Sequence, residues 1–162
     1  EDHTGDRANP IFDFSLSVDR VAAAAEAARA LPGDMVFTAR CENFLWGRPD
    51  LDDTIRRLRA YEAAGADVLY APGLPDLDAV RTVCNSVTKP VNVIMGSPCL
   101  KCTVQDLSEA GVARISVGSA FARVAYGAFI NAAREVLDAG VFDQTSSGMG
   151  FADIETWLPR AT

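Results

Sequence analysis

Apolar positions along the chain switch between two periods. After an irregular opening through Pro10, the segment Phe14 to Leu31 places Val18, Val21, Ala22, Ala25 and Ala28 at intervals of three and four. That spacing predicts a helix with one apolar face, with Asp13 or Ser15 available as N-cap and Pro32-Gly33 as its stop. The short apolar run Met35 to Ala39 predicts a strand, and a polar stretch follows as far as Asp50. Asp50 can cap a helix carrying Leu51, Ile55, Leu58 and Tyr61 on one face, and Gly65 suits the C-terminal turn of that helix.

The unit then repeats. Asp67 to Ala71 reads as a buried strand, and Asp76 can cap a helix that turns Leu77, Val80, Cys84 and Val87 inward. Strand Val91 to Ile94 leads to a helix that Thr103 and Asp106 can open as a capping box and Gly111 can close. Strand Ala113 to Val117 feeds a last helix, Ser119 to Ala139. Strand and helix alternate without hairpin turns, which calls for parallel strands joined by right-handed crossovers and hence an α/β architecture. Periodicity alone leaves open whether the sheet is an open layer or part of a closed eightfold barrel. The organisation expected is a domain over residues 1–140 and a tail over 141–162, in which Phe151, Ile154, Trp157 and Leu158 can form a short amphipathic helix that docks on the surface or on a partner subunit.

Composition narrows the class. With 162 residues, 49% hydrophobic and 23% charged, the chain can bury a sizeable core, and no run of about 18 apolar residues exists to span a membrane. A net charge of -7 without a basic stripe argues against a nucleic-acid partner while leaving room for a small anion held by one or two local cations. Four cysteines are too sparse for a disulfide scaffold and fit the thiols of a reducing cytoplasm. Residue 1 is Glu rather than Met, so the chain reads as a processed or incomplete piece of a longer product.

In α/β folds ligands gather beyond the carboxyl ends of the strands, which makes Arg40, Glu42, Asn92 and Ser119 candidates. A guanidinium at position 40 can grip a carboxylate or phosphonate through paired hydrogen bonds while Glu42 orients it; a structural ion pair at the rim is the competing reading. Asn92 either braces the core or reaches a ligand. Glu1 and Asp2 are adjacent carboxylates of the kind hard cations take, and equally the kind that water solvates. Cys99 and Cys102 have the spacing of half a zinc site, without a second pair and with His3 as the sole histidine. Met95-Gly-Ser and Gly118-Ser119 serve as phosphate-binding turns or as plain turns into a helix. Hydrolase elbows, Walker loops and dinucleotide fingerprints are absent from the sequence.

Several segments in order resemble the phosphoenolpyruvate mutase and isocitrate lyase superfamily. They are the opening Glu1-Asp2-His-Thr-Gly, the strand end Thr38 to Leu45, the stretch from Asp50 to Leu58, Ala64 to Pro72, Lys89 to Val93, and Arg114 to Ser119. The resemblance implies an (α/β)8 barrel of the TIM type, of which this chain holds only the second half, about strands 5–8, and a homo-oligomer in which the last helix is often exchanged. It implies Mg2+, with Glu1 matching the acid that helps hold the metal, commonly through water, and the more direct metal-binding aspartates lying upstream. Arg40 matches the arginine gripping the carboxylate or phosphonate of a small anionic 2-oxo acid or phosphonate substrate, and Asn92 matches a polar position near the substrate.

Lyases of the superfamily carry a Lys six residues beyond that Glu and then Cys-Gly-His. Here the places read Arg7 and Asn9-Pro-Ile. An amide has no titratable proton near neutral pH, so Asn9 cannot replace an acid-base thiol, and isocitrate-type cleavage is disfavoured. Mutases place Asn there, although Arg7 departs from the usual Lys. The resemblance thus implies formation or cleavage of a P–C or C–C bond beside a 2-oxo acid through a metal-stabilised enolate, with Arg40, Arg7 and Asn9 as catalytic candidates. The alternatives are a 2-oxo-dicarboxylate decarboxylase or hydrolase, a methylisocitrate-type lyase, and a noncatalytic half-barrel that keeps only association surfaces.

Overall fold

The structure, a computed structural model, describes residues 1–96 and 100–158. Eleven helices and strands follow in the order α1 (Phe14–Arg29), β1 (Thr38–Arg40), α2 (Leu51–Ala63), β2 (Val68–Tyr70), α3 (Leu77–Ser86), β3 (Val91–Ile94), α4 (Val104–Glu109), β4 (Arg114–Ser116), α5 (Ala120–Ala139), α6 (Asp143–Ser146) and α7 (Phe151–Trp157). A 3-10 turn, Phe44–Trp46, lies in the polar stretch before α2. The strands form one parallel sheet in the order β1-β2-β3-β4, so the expected α/β architecture is present. Two compact units contain these elements: Glu1–Gly118, with the whole sheet and α1 to α4, and a second beginning at Ser119.

Local chemistry explains the element ends. Asp50 and Asp76 accept from the backbone N–H of Asp53 and Ala79, capping α2 and α3, and Thr103 with Asp106 forms the reciprocal capping box of α4. Asp13 precedes α1 without a side-chain cap bond. Gly65 and Gly111 close α2 and α4 at φ 106 and 91, a region L-residues avoid.

Strand β1 begins later than the run from Met35 predicts. The ladder starts only where Asp67 N–H and Val68 N–H donate to Phe37 C=O, and Met35 and Val36 lie outside it, 56% and 66% exposed. Arg40 is therefore the last residue of the strand.

Strand alternation separates two faces. Ala39, Leu69, Val91 and Val93 join Leu58 and Tyr61 of α2 and Val80 and Val83 of α3 in one buried cluster, which is the core. The pairing Arg40↔Tyr70, Tyr70↔Asn92 and Asn92↔Arg114 sets these four residues in one row on the opposite face. Parallel strands, typically about 4.8 Å apart, thus carry a polar row across the whole sheet.

In the second unit α5 leaves Phe121, Val124, Tyr126, Phe129 and Leu137 exposed. Residues Phe151–Trp157 form α7, with Phe151 and Trp157 exposed and Leu158 beyond its end. No helix among the described residues is long and apolar enough to cross a membrane.

Candidate active site

The site is built where the N-terminal segment meets the end of β1. Asp2 N–H donates to Arg40 C=O at 3.3 Å and Phe12 N–H donates to Asp2 C=O at 2.9 Å, laying Glu1 and Asp2 beside the strand. Successive side chains of an extended segment point to opposite sides, and these two acids separate accordingly. Glu1 stays half-exposed, with Oε2 3.5 Å from Arg40 Nε. Asp2 turns inward: its Oδ1 accepts from Glu42 N–H at 2.8 Å and its Oδ2 from Tyr61 O–H at 2.5 Å, with Arg57 Nη1 at 3.4 Å. Both Asp2 oxygens are thus engaged inside the protein, and of the two adjacent acids only Glu1 stays open to solvent.

Arg40 is oriented from three sides. Its Nε donates to Glu42 Oε1 at 2.6 Å and its Nη2 lies 2.5 Å from the same oxygen. Its guanidinium carbon sits 4.9 Å from the centre of the Tyr70 ring. Glu42 is nearly sealed, so its charge is met by Arg40, whereas Arg40 keeps a third of its side-chain surface open. Nη1 has no hydrogen-bond partner among the described residues.

One cation against two carboxylates makes this rim net negative. A free anion gains little there unless a further cation joins it.

Beneath the rim lies a second network. Arg57 donates from Nε to Asp53 Oδ2 at 2.8 Å and from Nη1 to Ser17 Oγ and Phe12 C=O, both at 3.1 Å. Asn43 Nδ2 donates to Asp53 Oδ2 at 3.0 Å and to Thr54 Oγ1 at 3.2 Å. Burial pushes the Asp53 carboxyl up, but hydrogen bonds from Arg56, Asn43 and Arg57 more than reverse this and hold it well below the usual carboxylate range. Burial, then the charge of Asp2, push the Tyr61 phenol up, so it remains a proton donor. Burial, seconded by Asp2, also pushes the Cys41 thiol up to about 12, which removes this neighbour of Arg40 as a nucleophile near neutral pH.

The other candidates fall in different places. Asn92 is buried on the row of Arg40 and Tyr70, where Nδ2 donates to Ser116 Oγ at 3.0 Å and Oδ1 is unpartnered. Arg7 and Asn9 are exposed on a loop closed at its base by the bridge His3↔Ile11 and by Thr4 N–H donating to Pro10 C=O. Ser119 precedes α5, and its side chain accepts no cap hydrogen bond. The Cys99–Cys102 pair and the Met95-Gly-Ser turn include residues outside those described. His3 stacks on Trp46 at 3.9 Å between ring centroids, pinning the N-terminal segment to the 3-10 turn.

A cavity of about 400 Å³ opens at the ends of β1, β2 and β3, lined by Arg40, Tyr70, Leu45, Leu74, Ile94 and Leu100 among others. Tyr70 and the leucines were invisible as site residues, since only strand register and loop placement bring them to Arg40.

A family model for phosphoenolpyruvate phosphomutase matches residues 1–137, and the chain belongs to that family. A crystal structure of a candidate lyase/mutase from Burkholderia cenocepacia J2315 is 50% identical, with a TM-score of 0.89 over 97% of this chain and 56% of that one. An uncharacterized protein of Mycobacterium tuberculosis (strain ATCC 25618 / H37Rv) is 32% identical over 127 residues, 77% of this chain and 46% of its own length. Phosphonopyruvate hydrolase in complex with oxalate and Mg++ shares the fold at 23% identity and a TM-score of 0.75, over 97% of this chain and 56% of that one. The chain thus spans about half the length of the relatives it matches.

Proposed function

We propose that this chain supplies the second half of an (α/β)8 barrel in a Mg2+-dependent enzyme that makes or breaks a P–C or C–C bond beside a 2-oxo acid. The observation that carries the reading is Arg40, fixed by Glu42 and Tyr70 at the carboxyl end of a parallel strand, with Glu1 beside it and a cavity in front. Family membership and the fold shared with a hydrolase that holds oxalate and Mg++ support it.

Glu1 fits a hard cation as one half-exposed carboxylate donor, and the net negative rim favours such an ion. No group of three or more His, Cys, Asp or Glu side chains among the described residues could complete a metal shell, so the remaining ligands would come from elsewhere in the protein or from water. When bound, Mg2+ supplies polarisation of the oxo and carboxylate oxygens of the substrate.

The protein's own groups do the rest. Arg40 presents N–H donors to the carboxylate of the substrate or to its migrating or leaving anionic group, and Glu42 keeps the guanidinium plane in place. Asn92 offers its unpartnered Oδ1 on the same row of the sheet. Arg7 and Asn9 close over the substrate on their loop and exclude water. In this reading the protein works as a homo-oligomer in the cytoplasm, where its cysteines remain thiols.

The exposed apolar side chains of α5 favour, alongside catalysis, a role for this segment in association. The test is an assay of the intact protein with Mg2+ against phosphonopyruvate, oxaloacetate and methylisocitrate. Metal-dependent consumption of either of the first two, lost in Arg40→Ala, is expected; turnover of methylisocitrate alone would defeat the proposal.

A further inference from the structure

The cavity's chemistry is uneven in a way that bears on what the substrate carries. Among the described residues that line it, Arg40 is the one charged residue and Tyr70 the one other polar side chain. The guanidinium lies over the Tyr70 ring, which places the ring as a floor beneath the anion-binding head. Beyond that head the wall is hydrocarbon: Leu45 from the 3-10 turn, Leu74 from the loop after β2, Ile94 at the end of β3, and Leu100. Leu74 and Leu100 also belong to the core cluster, so this part of the wall is set by packing and does not turn aside to admit polar groups.

At about 30 Å³ per molecule, a cavity of 400 Å³ would hold roughly a dozen waters. Most of them would face walls that offer no hydrogen bond. Replacing such water with hydrocarbon is favourable, whereas a charged or hydroxylated substituent placed there would lose its hydration without finding a donor.

We infer that the substrate of this site bears an alkyl substituent next to its anionic head, and that the apolar wall selects for it. The inference rests on the reading of the site as a 2-oxo acid site and specifies which members of that class fit. Arg40 holds the head, and the side arm runs over Tyr70 toward Leu45, Leu74, Ile94 and Leu100.

The experiment is a calorimetric titration of the intact protein, with Mg2+ present, using pyruvate, 2-oxobutyrate, 2-oxopentanoate and 4-methyl-2-oxopentanoate as probes. Affinity is expected to rise roughly four-fold for each added methylene until the cavity fills. In Leu45→Asn and in Ile94→Asn the rise per methylene should shrink; Leu45 is 52% exposed, so its replacement leaves the core intact. Equal affinity across the series, with pyruvate still bound, overturns this inference and leaves the 2-oxo acid reading standing. A rise undiminished in both variants also overturns it, because the arm then lies elsewhere. Failure of every 2-oxo acid to bind overturns the parent reading and this inference together.

Discussion

Glu1 and Asp2 are neighbours in sequence, and each faces an arginine, yet the two pairs have opposite characters. The Glu1–Arg40 pair lies at the open rim, with side chains 50% and 34% exposed and 3.5 Å between charged atoms. The Asp2–Arg57 pair lies below, 2% and 4% exposed, and belongs to a network in which Asp53, Tyr61, Ser17 and the Phe12 carbonyl all take part. Residual exposure is what separates a site from a strut. A charge that keeps some water can exchange partners with a ligand, whereas a charge sealed among protein partners cannot.

The difference predicts a ranking of effects. Arg57→Ala strips the sealed network of its cation and leaves Asp53 and Asp2 facing an unfilled space, so unfolding free energy in denaturant titration should fall by about 3–5 kcal/mol. A loss below about 1 kcal/mol would erase the distinction between the two pairs.

Tyr61→Phe removes one donor from the Asp2 carboxylate. A hydrogen bond to a charged group is worth about 1.5–3 kcal/mol, and the loss should appear in the same titration with the fold retained. Because Asp2 also accepts from Glu42 N–H, this variant tests whether the lower network positions the rim: the affinity of Arg40 for an anion should drop with it.

Arg40→Ala should act chiefly on binding. Stability should fall by about 1–3 kcal/mol, because the nearly sealed Glu42 loses the cation that meets its charge, while binding of an oxalate-like anion in the presence of Mg2+ should weaken on the order of ten- to a hundred-fold, the value of a charge-assisted contact. Calorimetry on the variant and the parent gives both numbers.

The smallest effect concerns pH. The Asp53 carboxyl is held below its unfolded value, so its contribution is complete above that value, about 4, and is lost as the pH falls further toward its folded value. Thermal midpoints measured between pH 6 and pH 3 should decline at the acid end, and Asp53→Asn should flatten that decline.

Much of the frame was legible in the sequence. Asp50, Asp76 and the Thr103–Asp106 pair are local signals, and each caps its helix as the residue pattern indicates, because a cap needs only its own chain within three residues. Strand Val91–Ile94 was readable for a similar reason: Val91, Val93 and Ile94 are β-branched apolar residues broken only by Asn92. The start of β1 was not, since Met35 and Val36 are apolar and yet have no strand to pair with; a ladder is a property of two segments.

The candidate site divides in the same way. Arg40 and Glu42 could be singled out by their place after an apolar run and by a resemblance carried in contiguous residues. Tyr70 could not, because nothing local distinguishes a tyrosine that lies under a guanidinium from one that fills a core. The inward turn of Asp2 depends on Arg57 and Tyr61, more than fifty residues away, and on Glu42 N–H.

By itself, then, the amino-acid sequence determined the alternation of strand and helix, the helix caps, the acidic balance and the residues able to hold an anion, all of which depend on neighbours within a few positions. Only the tertiary structure decided which of two adjacent acids stays at the rim, which arginine stays open to solvent, and that the described residues in front of it are mostly hydrocarbon. Those outcomes follow from strand register and from burial, which sum contributions from segments far apart in the chain.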